Sequence, residues 1–248
     1  MPLHYDLDPF CKFHNKVLKN QFFFNKDHDI LLNELKEKKE EYTRIIPTGK
    51  TFYRARLSEN DSYINSSLLC CDSDFEEYNA EDLSAPPLDK IEDGRANTKH
   101  VRYLYLSDSE YCAACEVRPS IGADVVVGSG PIQRNIKCYS FDEDDCSDDK
   151  LRYLFRYFRK PLINKKDYLV TEAIAQFVQI LEFDGLIFRS AQFEYGLNLV
   201  LFDPSLCIIE KSRSFRITGI TYNLERNRDL DRITPPNGKK DICILDNN

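Results

Sequence analysis

The stretch that most constrains the fold of this chain is an apolar helix pattern followed directly by two apolar strand patterns. The helix pattern spans residues 170–183 and carries one apolar stripe, formed by Val170, Ile174, Phe177, Val178 and Leu181. Asp184 and Gly185 then turn the chain into the strand pattern LIFRS at 186–190, and NLVLFDP at 198–204 follows after a short loop. These features predict one core helix and two core strands.

Shorter patterns along the rest of the chain alternate between strand and helix periodicity. Residues 29–44 predict a surface helix, whereas residues 58–101 predict mostly loop because they show no sustained periodicity. Further strands are predicted at 51–57, 102–107, 123–128, 134–140 and 214–224, and further helices at 110–117 and 150–160. We find no internal repeat and no domain linker, so the pattern predicts a single α+β domain with helices packed at the edges of the strands.

Composition and charge exclude several classes of protein. The chain has 42% hydrophobic and 30% charged residues, which is typical of a globular protein rather than a disordered one. Its 34 basic and 41 acidic residues give a net charge of −7, whereas a general nucleic-acid-binding surface normally carries a basic excess. We therefore expect no direct binding to nucleic acid.

The amino terminus and the cysteines indicate the compartment. Residues 1–16 lack the basic start and apolar run of a secretory signal, and no stretch approaches the roughly 18 apolar residues of a membrane helix. We therefore expect a cytoplasmic protein with no membrane partner, in which the nine cysteines are reduced thiols. Cys112 and Cys115 form a lone C-x-x-C pair without a second pair at zinc spacing, so we expect no metal site.

Four polar residues lie where packing alone would not place them. Arg54 and Arg56 lie on the same face of the predicted strand at 51–57. Glu116 comes late in a short helix of small residues, and Ser190 ends the strand pattern at 186–190. Taken one at a time, each has a plain structural explanation, namely an exposed strand edge, a solvated helix end or the start of a turn.

In their order and surroundings, these residues resemble the RES family, which is named for an arginine, a glutamate and a serine. FYRAR supplies the arginine at Arg54, and residues 168–204 are similar to the last block of the family, with Ser190 as its serine. Residues 94–119 resemble the central signature, which consists of a Gly-Arg-x-Asn turn, a strand containing tyrosine and a helix ending in glutamate. The matching positions in that signature are Arg95, Asn97, Tyr105 and Glu116.

The resemblance implies an ADP-ribosyltransferase-like fold with a split β-sheet core flanked by helices. It also implies a toxin that degrades NAD, most simply by phosphorolysis to nicotinamide and ADP-ribose 1″-phosphate. NAD is then a substrate and inorganic phosphate a co-substrate, and no resident cofactor is implied. No Gly-x-Gly-x-x-Gly or Walker loop is present, which agrees with NAD bound as a substrate by side chains.

The resemblance also assigns roles to individual residues. The catalytic residues are expected to be Glu116, Arg54 and Ser190, with Glu116 stabilising an oxocarbenium-like transition state at the ribose. The diphosphate of NAD and the phosphate need planar, permanently charged donors, a task suited to arginine. The residues expected to bind these substrates are Arg95, Asn97, Tyr105 and Arg56.

Other activities on the same fold stay open at this point. They are hydrolysis of NAD, ADP-ribosyl transfer to a macromolecule, and a catalytically silent binding module. Many such toxins are held by a helix-turn-helix antitoxin that blocks the NAD cleft, so an antitoxin or another regulatory protein is an expected partner.

The sequence also predicts a layout along the chain. We expect an N-terminal helical extension at 1–49, a RES catalytic domain at 50–225 and a polar C-terminal tail at 226–248. Because NAD and phosphate are anions, we expect the acidic run at 142–149 to lie away from the arginine pocket.

Overall fold

The computed structural model describes residues 9–19, 30–58, 80–161 and 165–221. Within these ranges the chain forms one mixed sheet with helices against it, which confirms the predicted α+β class. The helices are α1 (Pro9–Leu18), α2 (Ile30–Glu37), α3 (Glu110–Glu116), α4 (Asp149–Arg159) and α5 (Lys165–Ile180). The strands are β1 (Thr43–Ile46), β2 (Thr51–Leu57), β3 (Leu104–Ser107), β4 (Asp124–Pro131), β5 (Ile136–Phe141), β6 (Gly185–Arg189), β7 (Leu197–Leu201) and β8 (Lys211–Arg216).

The sheet consists of two halves that are joined at one point. Its strand order is β1-β5-β6-β7-β3-β2-β4-β8, and only the pair β5 and β6 is parallel. The register between β2 and β3 contains a single residue pair, Tyr53 opposite Ser107. By contrast, β2 pairs with β4 along its whole length, from Thr51 to Leu57. Strands β2 and β3 therefore diverge on leaving this pair, which gives the split that the sequence resemblance implies.

Apolar side chains pack on both faces of the larger half of the sheet. One core cluster joins α1, α2, α4 and α5 to the face that carries Tyr139, Phe141 and Val200. A second cluster covers the opposite face around Leu106 and Leu199. The predicted stripe on α5 belongs to the first cluster, and its residues Val170, Ile174, Phe177 and Val178 are at most 2% exposed. The helix and the two strands predicted from this stretch are thus confirmed, but the turn lies at residues 181–182 and Gly185 already belongs to β6.

The amino-terminal residues contribute to the same core. Leu31, Leu32 and Leu35 of α2 are at most 1% exposed, and Tyr139 Oη donates a hydrogen bond to the Leu35 carbonyl at 3.1 Å. The helix predicted over 29–44 is confirmed over Ile30–Glu37, where α2 buries its leucines and exposes Ile30, Lys36 and Glu37. Its predicted length is wrong, because residues 43–46 form β1 against β5. The domain limits at residues 49 and 225 stay a prediction.

Two further sequence predictions concern the carboxyl-terminal part. Strand β8 lies at Lys211–Arg216 and pairs with β4, so it overlaps the strand predicted at 214–224 only over residues 214–216. The polar tail predicted at 226–248 lies outside the described residues, as do residues 59–79 of the predicted loop. Within the part of the chain that the structure describes, no helix combines the length and apolar character needed to span a membrane.

Candidate active site

Helix α3 carries Glu116 to the point where the two halves of the sheet diverge. Ser109 caps the helix, since its Oγ accepts a hydrogen bond from the Cys112 backbone N–H at 3.2 Å. The small side chain of Ala113 is buried with Ala55 of β2, so the helix can lie close to the sheet. Because α3 ends at Glu116, the carboxyl group of this residue lies at the exposed end of the helix.

Two side chains from other elements hold the Glu116 carboxylate. Ser190 Oγ donates a hydrogen bond to Glu116 Oε1 at 2.6 Å, and Asn198 Nδ2 donates to the same oxygen at 2.7 Å. Ser190 is 1% exposed, and its Oγ accepts hydrogen bonds from the backbone N–H groups of Gln192 and Phe193, both at 3.0 Å. Among the described residues no donor contacts Glu116 Oε2, so this oxygen is free to contact a ligand.

Asn198 is a site residue that the sequence analysis missed. It lies opposite Ser107 in the register of β3 and β7, and its Oδ1 accepts a hydrogen bond from Ser107 Oγ at 2.9 Å. This bond fixes the amide so that Nδ2 faces Glu116. The sequence signal for Asn198 is a polar residue in an otherwise apolar strand pattern, and that pattern alone predicts a core strand.

The turn at 92–98 is held by Tyr105 and Asn97. Tyr105 Oη donates to Asn97 Oδ1 at 2.7 Å and accepts from the Ala96 backbone N–H at 2.9 Å. Asn97 Nδ2 donates to the carbonyls of Glu92 and Thr98 at 3.1 and 3.0 Å. Burial raises the pKa of Tyr105, so the phenol stays neutral. Both residues thus shape the turn, and their direct contact with a substrate stays a prediction.

Arg95 extends from this turn towards the end of α4. Its Nη2 donates to the Lys160 carbonyl at 3.0 Å, and its guanidinium carbon lies 5.5 Å from the centre of the Phe188 ring. Burial lowers the pKa of Arg95, while the nearby Tyr168 and Glu116 act in the opposite direction. Arg95 and Glu116 are therefore close enough to interact electrostatically.

Arg54 is a partly buried cation with an unused donor. Its Nη1 is buried, and no hydrogen-bond partner for that nitrogen lies among the described residues. Burial, followed by the like charge of Arg56, lowers the pKa of Arg54 to about 10, so the guanidinium remains charged at neutral pH. A buried charged donor without an acceptor is costly, so this position is suited to an anionic ligand that supplies the acceptor.

Arg54 and Glu116 approach the split from different sides of β2. The packing of β2 puts Ala55 against α3 and Phe52 in the cluster on the opposite face, and Arg54 shares the face of Phe52. Arg56, on that same face, donates from Nη2 to the Ser84 carbonyl at 3.3 Å. Within the described ranges no hydrogen bond joins Arg54 to Glu116, although Arg54 interacts electrostatically with Tyr105.

A comparison with known protein families identifies the family of this chain. The sequence matches the RES domain over residues 71–218, which is more than half of the chain. The chain belongs to the RES domain family. The match begins after Arg54, and the predicted site residues that it includes are Arg95, Asn97, Tyr105, Glu116 and Ser190.

The comparison with solved structures gives a more distant match for this RES domain. It is similar to a chain of the M. tuberculosis MbcT-MbcA toxin-antitoxin complex, with 13% sequence identity and a TM-score of 0.42. The similarity covers 73% of this chain and 92% of that one. No curated protein matches the sequence.

The acidic run at 142–149 of this RES domain is engaged in ion pairs. Asp142 Oδ1 accepts from Arg189 Nε at 2.7 Å, and Asp148 pairs with Lys38 at 2.5 Å. Within the described part of the chain, none of the ion pairs of this run involves Arg54, Arg56 or Arg95. The basic partners of the run are Lys38, Arg44, Arg152, Arg156, Arg159 and Arg189. The run thus pairs with basic residues other than the three predicted pocket arginines, and its position away from that pocket stays a prediction.

The described residues contain no group of three or more histidine, cysteine, aspartate and glutamate side chains arranged to hold a metal ion.

Replacement of Gly94 by alanine tests the geometry of the turn, and we expect the free energy of unfolding to fall by about 1–3 kcal/mol. A Cβ at residue 94 would lie 2.6 Å from Asn97 Oδ1 and 2.9 Å from Tyr105 Oη, so the hydrogen-bonded pair would have to separate. Denaturant unfolding measures the change. Gly219→Ala is the control, since a Cβ there meets nothing within 4 Å, and equal stability of the two variants would contradict this description of the turn.

Proposed function

We propose that this RES domain is a toxin that cleaves the nicotinamide–ribose bond of NAD by phosphorolysis. An oxygen of inorganic phosphate forms a bond to C1″ of the ribose while the bond from C1″ to the pyridinium nitrogen breaks. The electron pair of the broken bond passes to that nitrogen, so nicotinamide leaves as a neutral molecule. The products are nicotinamide and ADP-ribose 1″-phosphate, and the reaction needs neither a redox cofactor nor a strong general acid.

The observation that carries this proposal is the fixed carboxylate of Glu116. Hydrogen bonds from Ser190 and Asn198 to Oε1 orient the group and leave Oε2 to face a ligand. A carboxylate held in this way can accept a hydrogen bond from a ribose hydroxyl and stabilise positive charge that develops at C1″. Because its geometry is set before the substrate binds, little reorganisation is needed in the transition state.

The two partly buried arginines support the choice of anionic substrates. Arg54 Nη1 lacks an acceptor among the described residues, and the Arg95 guanidinium lies within electrostatic range of Glu116. A planar guanidinium can bind a phosphate through two parallel hydrogen bonds. We assign Arg54 and Arg95 to the diphosphate of NAD and to the incoming phosphate, with Arg56 on the same face of β2 as Arg54.

Ser190 acts on the reaction through Glu116. The Ser190 hydroxyl donates a hydrogen bond to Glu116 Oε1, and its oxygen accepts hydrogen bonds from two backbone N–H groups. Ser190 is therefore a positioning residue rather than a nucleophile, since its lone pairs are already engaged by the backbone N–H groups of Gln192 and Phe193.

The direct test is to incubate the purified protein with NAD, with and without phosphate, and to identify the products by mass. Phosphate-dependent formation of ADP-ribose 1″-phosphate is expected. Free ADP-ribose in the absence of phosphate would identify a glycohydrolase, and label from NAD on a macromolecule would identify a transferase. Intact NAD under both conditions would rule out the proposal.

Toxicity gives a test in cells. We expect expression of the parent protein to stop growth and Glu116→Ala to relieve the effect. Equal harmlessness of the two proteins would favour a silent binding module. An antitoxin that covers the NAD cleft is part of the proposal, and co-expression of the neighbouring gene would test it by restoring growth.

Replacement of Asn198 by alanine should lower the rate of NAD cleavage about tenfold or more, because it removes one hydrogen bond to a charged group. Ser190→Ala should have an effect of similar size, and the double variant should lose less than the product of the two losses, since both residues act on one carboxylate. Steady-state kinetics of the four proteins measures this coupling. Strictly multiplicative losses would show that the two residues act independently.

A further inference from the structure

The acidic run at 142–149 binds strand β6 at the residue that precedes Ser190. Arg189, the last residue of β6, donates from Nε to Asp142 Oδ1 at 2.7 Å and from Nη2 to Asp144 Oδ2. One guanidinium therefore binds two carboxylates of the run, each through a separate nitrogen. Charge-assisted hydrogen bonds from a planar group fix direction as well as distance, so this contact can hold the end of the strand in place.

The carboxylate of Asp142 is itself held in one position. Its Oδ1 accepts a hydrogen bond from the Asp144 backbone N–H at 3.2 Å, and the Asp142 N–H donates to Ser140 Oγ at 3.3 Å. Asp142 is 7% exposed and the side chain of Arg189 is 19% exposed. Because both groups are largely removed from water, their attraction is screened less than that of a surface pair.

The sheet brings the two groups together. Strands β5 and β6 are parallel, with Phe141 opposite Phe188, so the residues that follow them, Asp142 and Arg189, lie side by side. Both phenylalanines belong to the core cluster on the helix-covered face. Because side chains alternate along a strand, Arg189 projects from the opposite face. The ion pair therefore holds the backbone of β6 from the face that Phe188 does not use, one residue before Ser190.

The position of the Ser190 hydroxyl depends on the backbone that leads into it. Ser190 Oγ donates to Glu116 Oε1 at 2.6 Å and accepts from the backbone N–H groups of Gln192 and Phe193. The latter two bonds join Ser190 to the turn that follows it, whereas Arg189 joins the preceding residue to a distant part of the chain. A shift of the backbone at residue 189 would thus carry the hydroxyl and its turn away from the carboxylate.

We propose that Arg189 and Asp142 are positioning residues that fix the end of β6 and thereby keep the Ser190 hydroxyl on the Glu116 carboxylate. The acidic run then supplies the fixed carboxylates to which this part of the site is bound. The effect on NAD cleavage rests on the proposed function. The effect on the turn after β6 does not, and it can be measured without turnover.

Hydrogen exchange measures this turn in the protein without substrate. The Gln192 and Phe193 N–H groups donate to Ser190 Oγ, so their protection reports on the turn. Protection of both amides should fall about tenfold in Arg189→Met. It should fall less in Arg189→Lys, which keeps the charge but lacks the planar fork. Arg216→Met is the control and should leave both amides unchanged, since Arg216 also binds a carboxylate through two nitrogens, but on β8.

Kinetics shows whether the contact acts through Ser190. Arg189→Met should lower kcat about tenfold in the parent protein but less than about twofold in the Ser190→Ala background, because the hydroxyl that it positions is then absent. Asp142→Asn keeps the shape of the side chain and its oxygen acceptor, so it should lower protection and kcat in the same pattern by smaller factors. Arg216→Met should leave kcat unchanged in both backgrounds.

Unchanged protection of both amides in Arg189→Met would overturn the proposal, as would equal losses of kcat with and without the Ser190 hydroxyl. If Arg189→Met does not fold, the same two results in Asp142→Asn would overturn it. Lower protection in a protein that never consumes NAD would support the positioning role and would instead reject the proposed function.

Discussion

Replacing Glu116 by glutamine is expected to lower kcat for NAD cleavage by at least about a hundredfold. The substitution keeps the shape of the side chain and can keep the hydrogen bonds to Ser190 and Asn198 through its carbonyl oxygen. It removes the negative charge that opposes the positive charge developing at the ribose. Because that charge matters most in the transition state, KM for NAD should change much less than kcat.

Glu110→Gln is the matched control for this substitution. Glu110 lies at the start of the same helix and pairs with Arg213 at 3.5 Å, outside the contacts of the Glu116 carboxylate. Its replacement should leave kcat within about twofold of the parent value, as expected for a surface ion pair. If Glu116→Gln also stayed within this range, the carboxylate would have no part in the chemical step.

Replacing Arg54 by methionine is expected to raise KM for NAD or for phosphate about tenfold to a hundredfold, while the melting temperature stays the same or rises. The loss of affinity follows from removal of a charged donor that has no acceptor among the described residues. The gain in stability follows because methionine fills similar space without the cost of burying a charge. Steady-state kinetics and thermal unfolding measure the two effects separately.

Arg213→Met is the control for Arg54→Met, since the Arg213 side chain is 73% exposed on β8. It should alter neither KM nor the melting temperature by much. A lower melting temperature with unchanged KM in Arg54→Met would show that Arg54 is a structural residue and that the anion lies elsewhere.

Sequence patterns predict those elements whose periodicity is local and complete. The stripe on α5 and the strands β6 and β7 have burial patterns that run over successive residues, so their class and position could be recognised. Strand β1 could not, because its pairing with β5 joins residues far apart, such as Thr43 and Tyr139. Its four residues follow a helix pattern, and no local feature marks where the helix ends.

The candidate site shows the same limit at the level of single residues. Glu116 and Ser190 could be singled out by resemblance, and the structure joins them by a hydrogen bond of 2.6 Å. The role of Asn198 could not be predicted from the sequence, because it depends on the cross-strand register that puts this residue opposite Ser107.

The proposed chemistry is tested most directly with NAD and phosphate that carries ¹⁸O at every oxygen. Phosphorolysis predicts ADP-ribose 1″-phosphate that retains all the label, because the phosphate attacks C1″ through one of its own oxygens. Nicotinamide should appear in equal amount and should form at least about a hundred times more slowly in a parallel reaction with Glu116→Gln. Unlabelled ADP-ribose formed at the same rate without phosphate, or NAD that remains intact, would contradict the account.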